Sequence, residues 1–335
     1  MARTLTLPGF VNAHSHGFQR ALRGRAHGAD FWAWREAMLA EAERHTAETV
    51  RSLYEDVYRE QRAAGYTATG EFHYLGLEEA LAAAEAAQAA DVDLVLLYAA
   101  YGRGGLDRFR QGSAAAYLRA VERLLGLGHR VGLAPHSVRA CPREWLAEIG
   151  RYASETGLLV HVHACEQPRE VEECVEEHGL RPIELLAETG CLGSRTTVVH
   201  ATHADDRELD LLADAGARVC LCPTTEADLG DGYAPVSRLM ERRIPLCIGS
   251  DSNVRVDPLE ELRELSGIVR RAAGRRDVLP LEQLLEIGTS CGAQALGLDS
   301  WAPVHVDLDH PSLASVAPEH VTAALVAGCS ADVVA

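Results

Sequence analysis

His14, Ser15 and His16 form a His-x-His pair at the end of an apolar run. On a strand, side chains two residues apart point to the same face, so both imidazoles can reach one cation. Such pairs are common by chance, and this one gains meaning from matching pieces downstream. His163 with Glu166, then His200, then Asp251 each stand just past their own strand-like segment. Three imidazoles and one carboxylate suit a divalent, zinc-like ion, with borderline nitrogen donors and one hard oxygen. His14, His16, His163 and Asp251 are therefore assigned to the metal, and Asp251 is also counted among the catalytic groups. His161 rivals His163, because both share one face of the segment His161-Val162-His163 and periodicity does not separate them. Glu166, three residues after His163, favours the later histidine, since the chain leaves the strand there.

Glu166 is placed as general base and then general acid, taking a proton from an activated water and delivering it to a leaving group. His200 would polarise the electrophile or hold a developing oxyanion. The chemistry expected is hydrolysis at a trigonal carbon, in an amide, an amidine or a ring C–N bond. A lone histidine near a strand end is more often a hydrogen-bonded core residue than a ligand, and His73, His129 and His203 are read that way. Asp251, within Gly249-Ser250-Asp251-Ser252-Asn253, can also cap a turn. Its place after the last strand favours ligation.

These groups need a scaffold that brings distant strand ends together. Apolar, β-rich segments run over Leu5–His14, Tyr66–Tyr74, Asp93–Tyr101, Arg130–Ser137, Leu158–His163, Thr196–His200, Arg218–Pro223 and Pro245–Ser250. Between them, Leu77–Ala90, Ser113–Leu127, Pro142–Thr156, Gln167–Thr189 and Asp205–Ala215 carry helical spacing and composition. Gly65, Gly128, Gly157, Gly190 and Gly216 fall near helix-to-strand junctions, where left-handed caps are expected. Strand alternating with helix implies a parallel sheet, and eight units in about 250 residues fit a (β/α)8 TIM-type barrel. Such barrels hold their chemistry at the C-terminal strand ends. A doubly wound open sheet would draw on adjacent strands at one switch point, whereas these candidates follow strands one, five, six and eight.

The 335 residues carry a net charge of −17, which argues against nucleic acid and anionic membranes as partners. All 32 basic residues are arginine. The absence of lysine excludes Schiff-base catalysis, a P-loop lysine and a carbamylated-lysine metal bridge, and so favours a single ion. No apolar run reaches the roughly 18 residues of a membrane span. Residues 1–10 lack the pattern of a signal peptide. The nine cysteines are scattered without a CxxC pair, which fits a reducing cytoplasm rather than disulfides or a cysteine zinc site.

Several strings resemble the amidohydrolase superfamily. They are Leu7-Pro8-Gly9-Phe10-Val11-Asn12-Ala13-His14-Ser15-His16, His161-Val162-His163-Ala164-Cys165-Glu166, His200-Ala201-Thr202-His203 and Cys222-Pro223-Thr224-Thr225-Glu226. Narrower strings are similar to the formimidoylglutamate deiminase family: Phe18-Gln19-Arg20, Phe31-Trp32-Ala33-Trp34-Arg35 and Glu71-Phe72-His73-Tyr74, with Pro135-His136-Ser137-Val138-Arg139 as a further supporting string. The resemblance runs from about Leu7 to Leu298. It implies hydrolysis of N-formimidoyl-L-glutamate to N-formyl-L-glutamate and ammonia, a step of histidine degradation, with one Zn2+ ion. It also implies substrate contacts at Gln19, Arg35, Tyr74, His136 and Arg139, and a homodimer. Arginine forks bind carboxylates in bidentate fashion, which suits a dicarboxylate substrate in an acidic protein. The family usually adds a small β-sandwich around the barrel. Here the barrel is expected over residues 1–300, with residues 301–335 a remnant of that flanking layer and the sandwich largely absent. Two other readings compete: a mononuclear-zinc deaminase acting on a purine or related ring, and a metal-binding barrel without turnover.

Overall fold

The computed structural model describes residues 3–25, 27–28 and 30–335. Eight parallel strands follow one another in sheet order: β2 (Phe10–Ser15), β3 (Tyr66–His73), β4 (Asp93–Ala100), β5 (Val131–Pro135), β6 (Val160–Ala164), β7 (Thr196–His200), β8 (Arg218–Leu221) and β9 (Leu246–Ile248). The first and last meet through a parallel bridge between Ser15 and Asp251. There the His16 N–H donates to the Asp251 carbonyl at 2.8 Å and the Asp251 N–H to the His14 carbonyl at 2.9 Å. The sheet is thereby closed as the (β/α)8 barrel expected. Helices cover it from outside, beginning with α1 (Phe31–Ala42) and α2 (Ala47–Ala63) after β2, then α3 (Leu77–Ala89), α4 (Ala114–Gly126) and α5 (Arg143–Thr156). β2 and β3 are buried along their whole length, as strands packed on both faces must be.

The crossover α2 shows how the covering layer is specified. Thr46 caps its N-terminus in a capping box with Thr49. Its buried residues Val50, Tyr54, Val57, Tyr58 and Gln61 recur at helical spacing and lie on one stripe. Burying an aliphatic side chain such as Val50 or Val57 contributes about 1.5–3 kcal/mol. Gly157 and Gly216 close α5 and α8 (Asp206–Ala215) with φ of 71° and 65°, the left-handed caps their positions imply.

Two expectations are corrected. The segment Leu5–His14 is not one strand. It breaks at Gly9, and β1 (Thr4–Pro8) pairs antiparallel with β10 (Pro303–Asp307) as a separate two-stranded sheet, to which Val334 adds a bridge. The break has a steric cause: a Cβ on Gly9 would lie 2.0 Å from Thr67 Oγ1 and 2.3 Å from the Ala302 carbonyl. The Trp301 indole N–H anchors the Gly9 carbonyl at 2.8 Å. This small sheet is the flanking β structure among the described residues. The stretch Gln167–Thr189 is likewise two helices, α6 (Pro168–His178) and α7 (Pro182–Glu188). Gly179 at φ 68° ends the first, and Pro182, which lacks an N–H, begins the second. The other seven strands lie within two residues of their expected ends. Among the described residues no helix is long and apolar enough to cross a membrane.

Candidate active site

Barrel closure places Asp251 beside the histidine pair. Their donor atoms converge: His14 Nε2 to His16 Nε2 is 3.2 Å, His16 Nε2 to His163 Nε2 is 3.3 Å, and His163 Nε2 to His14 Nε2 is 3.0 Å. Asp251 Oδ1 lies 3.4 Å from His14 Nε2 and 3.3 Å from His16 Nε2. Ligands about 2.0–2.1 Å from a tetrahedral zinc ion are about 3.3–3.4 Å from one another. The three imidazole separations and the distances from Asp251 to His14 and His16 match that spacing closely, and all four donors lie within 4.8 Å of one another.

Hydrogen bonding gives the same answer. His16 Nδ1 donates to the Phe72 carbonyl and His163 Nδ1 to the His136 carbonyl, both at 2.9 Å. A carbonyl can only accept, so in each neutral ring the proton sits on Nδ1 and Nε2 presents a lone pair. Burial, followed by the neighbouring imidazoles, holds His14 and His16 well below the usual histidine range. Burial and His200 bring His163 down to about 4, against the opposing pull of Glu166 and Asp251. Lone pairs converging at 3.0–3.3 Å in a buried site repel unless a cation lies between them. The donor set therefore fits a divalent metal. His161, the rival ligand, stacks beneath His14 with ring centroids 5.4 Å apart and stands outside the converging set.

Strained backbone aims the remaining groups. Cys165, His200, Ala201 and Asp251, at the ends of β6, β7 and β9, have φ of 57°, 70°, 53° and 45°. Each such residue costs on the order of 1–2 kcal/mol, and specific bonds offset that cost. The buried Glu170 carboxylate accepts the N–H groups of Cys165 at 3.3 Å and Glu166 at 3.1 Å. Asn253, itself fully buried at φ 54°, donates to Ser15 Oγ, the His16 carbonyl and the Asp251 carbonyl at 3.0–3.1 Å. Its Oδ1 accepts from Ser250 Oγ at 2.8 Å and Gln61 Nε2 at 3.1 Å.

Glu166 and His200 face the donor cluster without joining it. His200 Nε2 is 3.8 Å from Glu166 Oε1 and 3.8 Å from Asp251 Oδ2, and Nδ1 bonds Glu226 Oε1 at 3.2 Å. Burial disfavours a charge on His200, yet the Glu226 hydrogen bond and the Glu166 and Asp251 carboxylates outweigh it and raise the ring to about 10. Glu166 Oε2 lies 3.6 Å from the Arg139 guanidinium.

Gln19, Arg35, Tyr74, His136 and Arg139 all line one cavity of about 720 Å3 above the cluster, which also reaches His16, His163, Glu166, His200 and Asp251. The face Phe31, Trp34, Arg35, Met38 and Leu39 of α1 roofs it at helical spacing. Trp32 points elsewhere, with the Arg169 guanidinium 4.5 Å above its ring. Tyr74 Oη accepts from Gln19 Nε2 at 2.9 Å, and Gln19 Oε1 has no partner. His136 packs against Tyr101 and His163, with ring centroids 4.5 and 4.8 Å away. Of the histidines set aside as structural, His73 is buried beside Tyr54 Oη at 3.4 Å, and His203 Nε2 donates to the Asp231 carbonyl at 2.9 Å. His129 lines a separate groove.

Sequence reasoning overlooked Glu226, Glu170, Asn253 and Gln61. Glu226 and Glu170 read as ordinary first-turn acids of helices that begin with proline, and nothing in their spacing marks the histidine or the strained turn they serve.

A closed parallel barrel with a buried cluster of three imidazoles and an aspartate at its C-terminal mouth defines a metal-dependent hydrolase barrel. The chain belongs to the amidohydrolase family, whose model matches residues 5–301. It is 37% identical to formimidoylglutamate deiminase of Pseudomonas aeruginosa, over 87% of this chain and 72% of that protein. It is 34% identical to a 5-methylthioadenosine/S-adenosylhomocysteine deaminase of Haloarcula marismortui, over 88% of this chain and 69% of the relative. Among solved structures, an amidohydrolase from Brucella melitensis superposes with a TM-score of 0.86 at 31% identity, covering 98% of this chain and 84% of that one. An adenosine deaminase from Xanthomonas campestris with bound zinc shares the fold with a TM-score of 0.90 at 23% identity, covering 99% and 78%.

Proposed function

We propose that the protein hydrolyses N-formimidoyl-L-glutamate to N-formyl-L-glutamate and ammonia, with one zinc ion held by His14, His16, His163 and Asp251. The observation that carries this reading is the placement of Arg35 and Arg139 in the lining of the donor cluster's cavity, where the third arginine, Arg103, is held by Glu177. In a chain of net charge −17, capture of a dianion depends on such local cations. The Pseudomonas relative named for this reaction supports it.

A zinc ion there supplies an activated water near neutral pH and polarises the substrate. Glu166 would take a proton from the attacking water as its oxygen adds to the formimidoyl carbon and pass it to the imino nitrogen. The remaining hydroxyl proton would then follow through the same carboxylate to that nitrogen, so that ammonia leaves as the C–N bond breaks and the carbon keeps its oxygen as the formyl carbonyl. His200, held by Glu226, faces the charge that develops at the attacked carbon. Arg139 and Arg35 hold the two carboxylates, and Arg139 exchanges Glu166 for a substrate oxygen. Tyr74 positions Gln19, whose free Oε1 accepts an N–H of the substrate. The reaction belongs to histidine degradation, and we assign the protein to the cytoplasm as a homodimer, a state that sedimentation would test.

The second reading is an adenosine-type deaminase. It draws on the relatives named for methylthioadenosine and on Phe31, Trp34 and Tyr101, which offer stacking surface in the same cavity. Ammonia release from N-formimidoyl-L-glutamate and from methylthioadenosine, with metal content measured on the same sample, separates the two. Turnover of the nucleoside alone overturns the proposal.

A further inference from the structure

Beside the four-donor cluster lies a second convergence: His200, Cys222 and Asp251 each offer a donor atom, and these atoms lie within 4.8 Å of one another. All three residues are buried. His200 Nε2 is 3.8 Å from Asp251 Oδ2 and has no hydrogen-bond partner. With Nδ1 engaged by Glu226, Nε2 is the ring nitrogen that faces this gap. Glu226 Oε1 also accepts the Cys222 N–H at 2.9 Å, so one carboxylate orients both the imidazole and the residue carrying the thiol. The two oxygens of Asp251 are divided between the clusters: Oδ1 faces His14 and His16, and Oδ2 faces His200. Glu166 and Glu226 add negative charge on the His200 side.

We infer that His200 Nε2, Cys222 Sγ and Asp251 Oδ2 form a second cation position, for a thiophilic divalent ion such as Zn2+ or Cd2+, that fills at excess metal and blocks turnover. The inference rests on the reading that His14, His16, His163 and Asp251 hold the first ion. The missing lysine removes a carbamate bridge between two ions, and here the Asp251 carboxylate takes that place. Paired ions bridged in this way stand about 3.5–4 Å apart.

Donor chemistry sets the selectivity. A thiolate favours zinc and cadmium over magnesium and calcium, which prefer oxygen. The position is weaker than the first for three reasons. It has three protein donors. Those donors must close in to reach ligand distances of about 2.0 Å for nitrogen and 2.3 Å for sulfur. Binding also releases two protons to solvent, one from the Cys222 thiol and one from His200 Nε2, as the metal–sulfur and metal–nitrogen bonds form. An ion seated there takes the Nε2 of His200 and crowds Glu166, the two groups that face the reacting carbon.

The test starts from protein loaded with one equivalent of zinc, to which Cd2+ is added. Bound metal is measured by equilibrium dialysis, and cadmium–thiolate charge transfer by ultraviolet absorption. Expected are a further equivalent with a thiolate band in the unaltered protein, and retention of the first equivalent without the band in Cys222→Ser. Half-inhibition of the variant should require roughly 10- to 100-fold more Cd2+, the affinity loss that removal of even an outer partner produces. Retention of the first equivalent shows that the variant is folded, and Cys222→Ala repeats the test without a hydroxyl. No thiolate band in the unaltered protein, or an equal band in Cys222→Ser, overturns the second position and leaves the first intact. Protein that binds a single equivalent, and shows the band with it, overturns both.

Discussion

Glu166→Gln separates proton transfer from every other role in the cavity. The amide keeps the shape of the carboxylate, and Glu166 is not one of the four converging donors, so metal content should stay near that of the unaltered protein. What disappears is the group that accepts and returns the proton. Loss of a positioned acid/base costs roughly 10²- to 10⁴-fold, which is about 3–5 kcal/mol of barrier at 1.36 kcal/mol per decade. The structure also fixes the direction of the binding effect. In the free protein Glu166 Oε2 lies 3.6 Å from Arg139 and competes for the guanidinium that the substrate carboxylate needs. Removing that charge should leave KM unchanged or lower it, while kcat falls by at least two decades. Ammonia release under initial-rate conditions, with zinc analysis on the same preparation, reads all three quantities. A variant with full metal and kcat within tenfold of the original would refute the assignment. A rise in KM with kcat preserved would move Glu166 from proton transfer to substrate binding.

Arg139→Met should act in the opposite sense, raising KM for the dianion by roughly 10- to 100-fold, since a charged hydrogen-bonding partner is worth about 1.5–3 kcal/mol. An unchanged KM would remove it from carboxylate recognition. Asn253→Ala leaves Ser15, Gln61 and Ser250 short of partners and frees the turn that carries Asp251. It should lower unfolding free energy in urea by about 2–4 kcal/mol, since each buried orphan costs about 1–3 kcal/mol, and weaken zinc retention against a chelator. Glu71, on β3 beside β2, is fully buried, and burial lifts it to about 8 although the Gly17 N–H donates a hydrogen bond to it. Its folded pKa exceeds the unfolded value, so the folded state binds more protons between the usual carboxylate range and about 8. Stability should therefore fall as pH rises through that window and level off above it. Glu71→Gln keeps the acceptor for the Gly17 N–H and should flatten that slope in urea unfolding curves measured from pH 5 to 8. An equally steep slope in the variant would assign the effect elsewhere.

The barrel was legible because its signals are local. Period-two spacing carries His14 and His16 to one face, and apolar runs ending at His163, His200 and Asp251 mark strand ends whatever the rest of the chain does. The break at Gly9 was not legible, because it depends on Thr67 and Ala302 crowding the chain from 58 and 293 positions away. The same holds beneath the site. Asn12 pairs with Ser250 across 238 positions, and Gln61 reaches Asn253 across 192. Asparagine and serine at a strand end read as turn formers, and only closure of the barrel makes them partners. The supports of the site are thus less visible in sequence than the groups they support. Glu226 shows the consequence for chemistry. One oxygen holds both the imidazole of His200 and the backbone of Cys222, so a residue that reads as a helix-start acid orients the proposed electrophilic group and a thiol beside it. Substitution there should disturb both positions together, whereas substitution at Cys222 should disturb only the second.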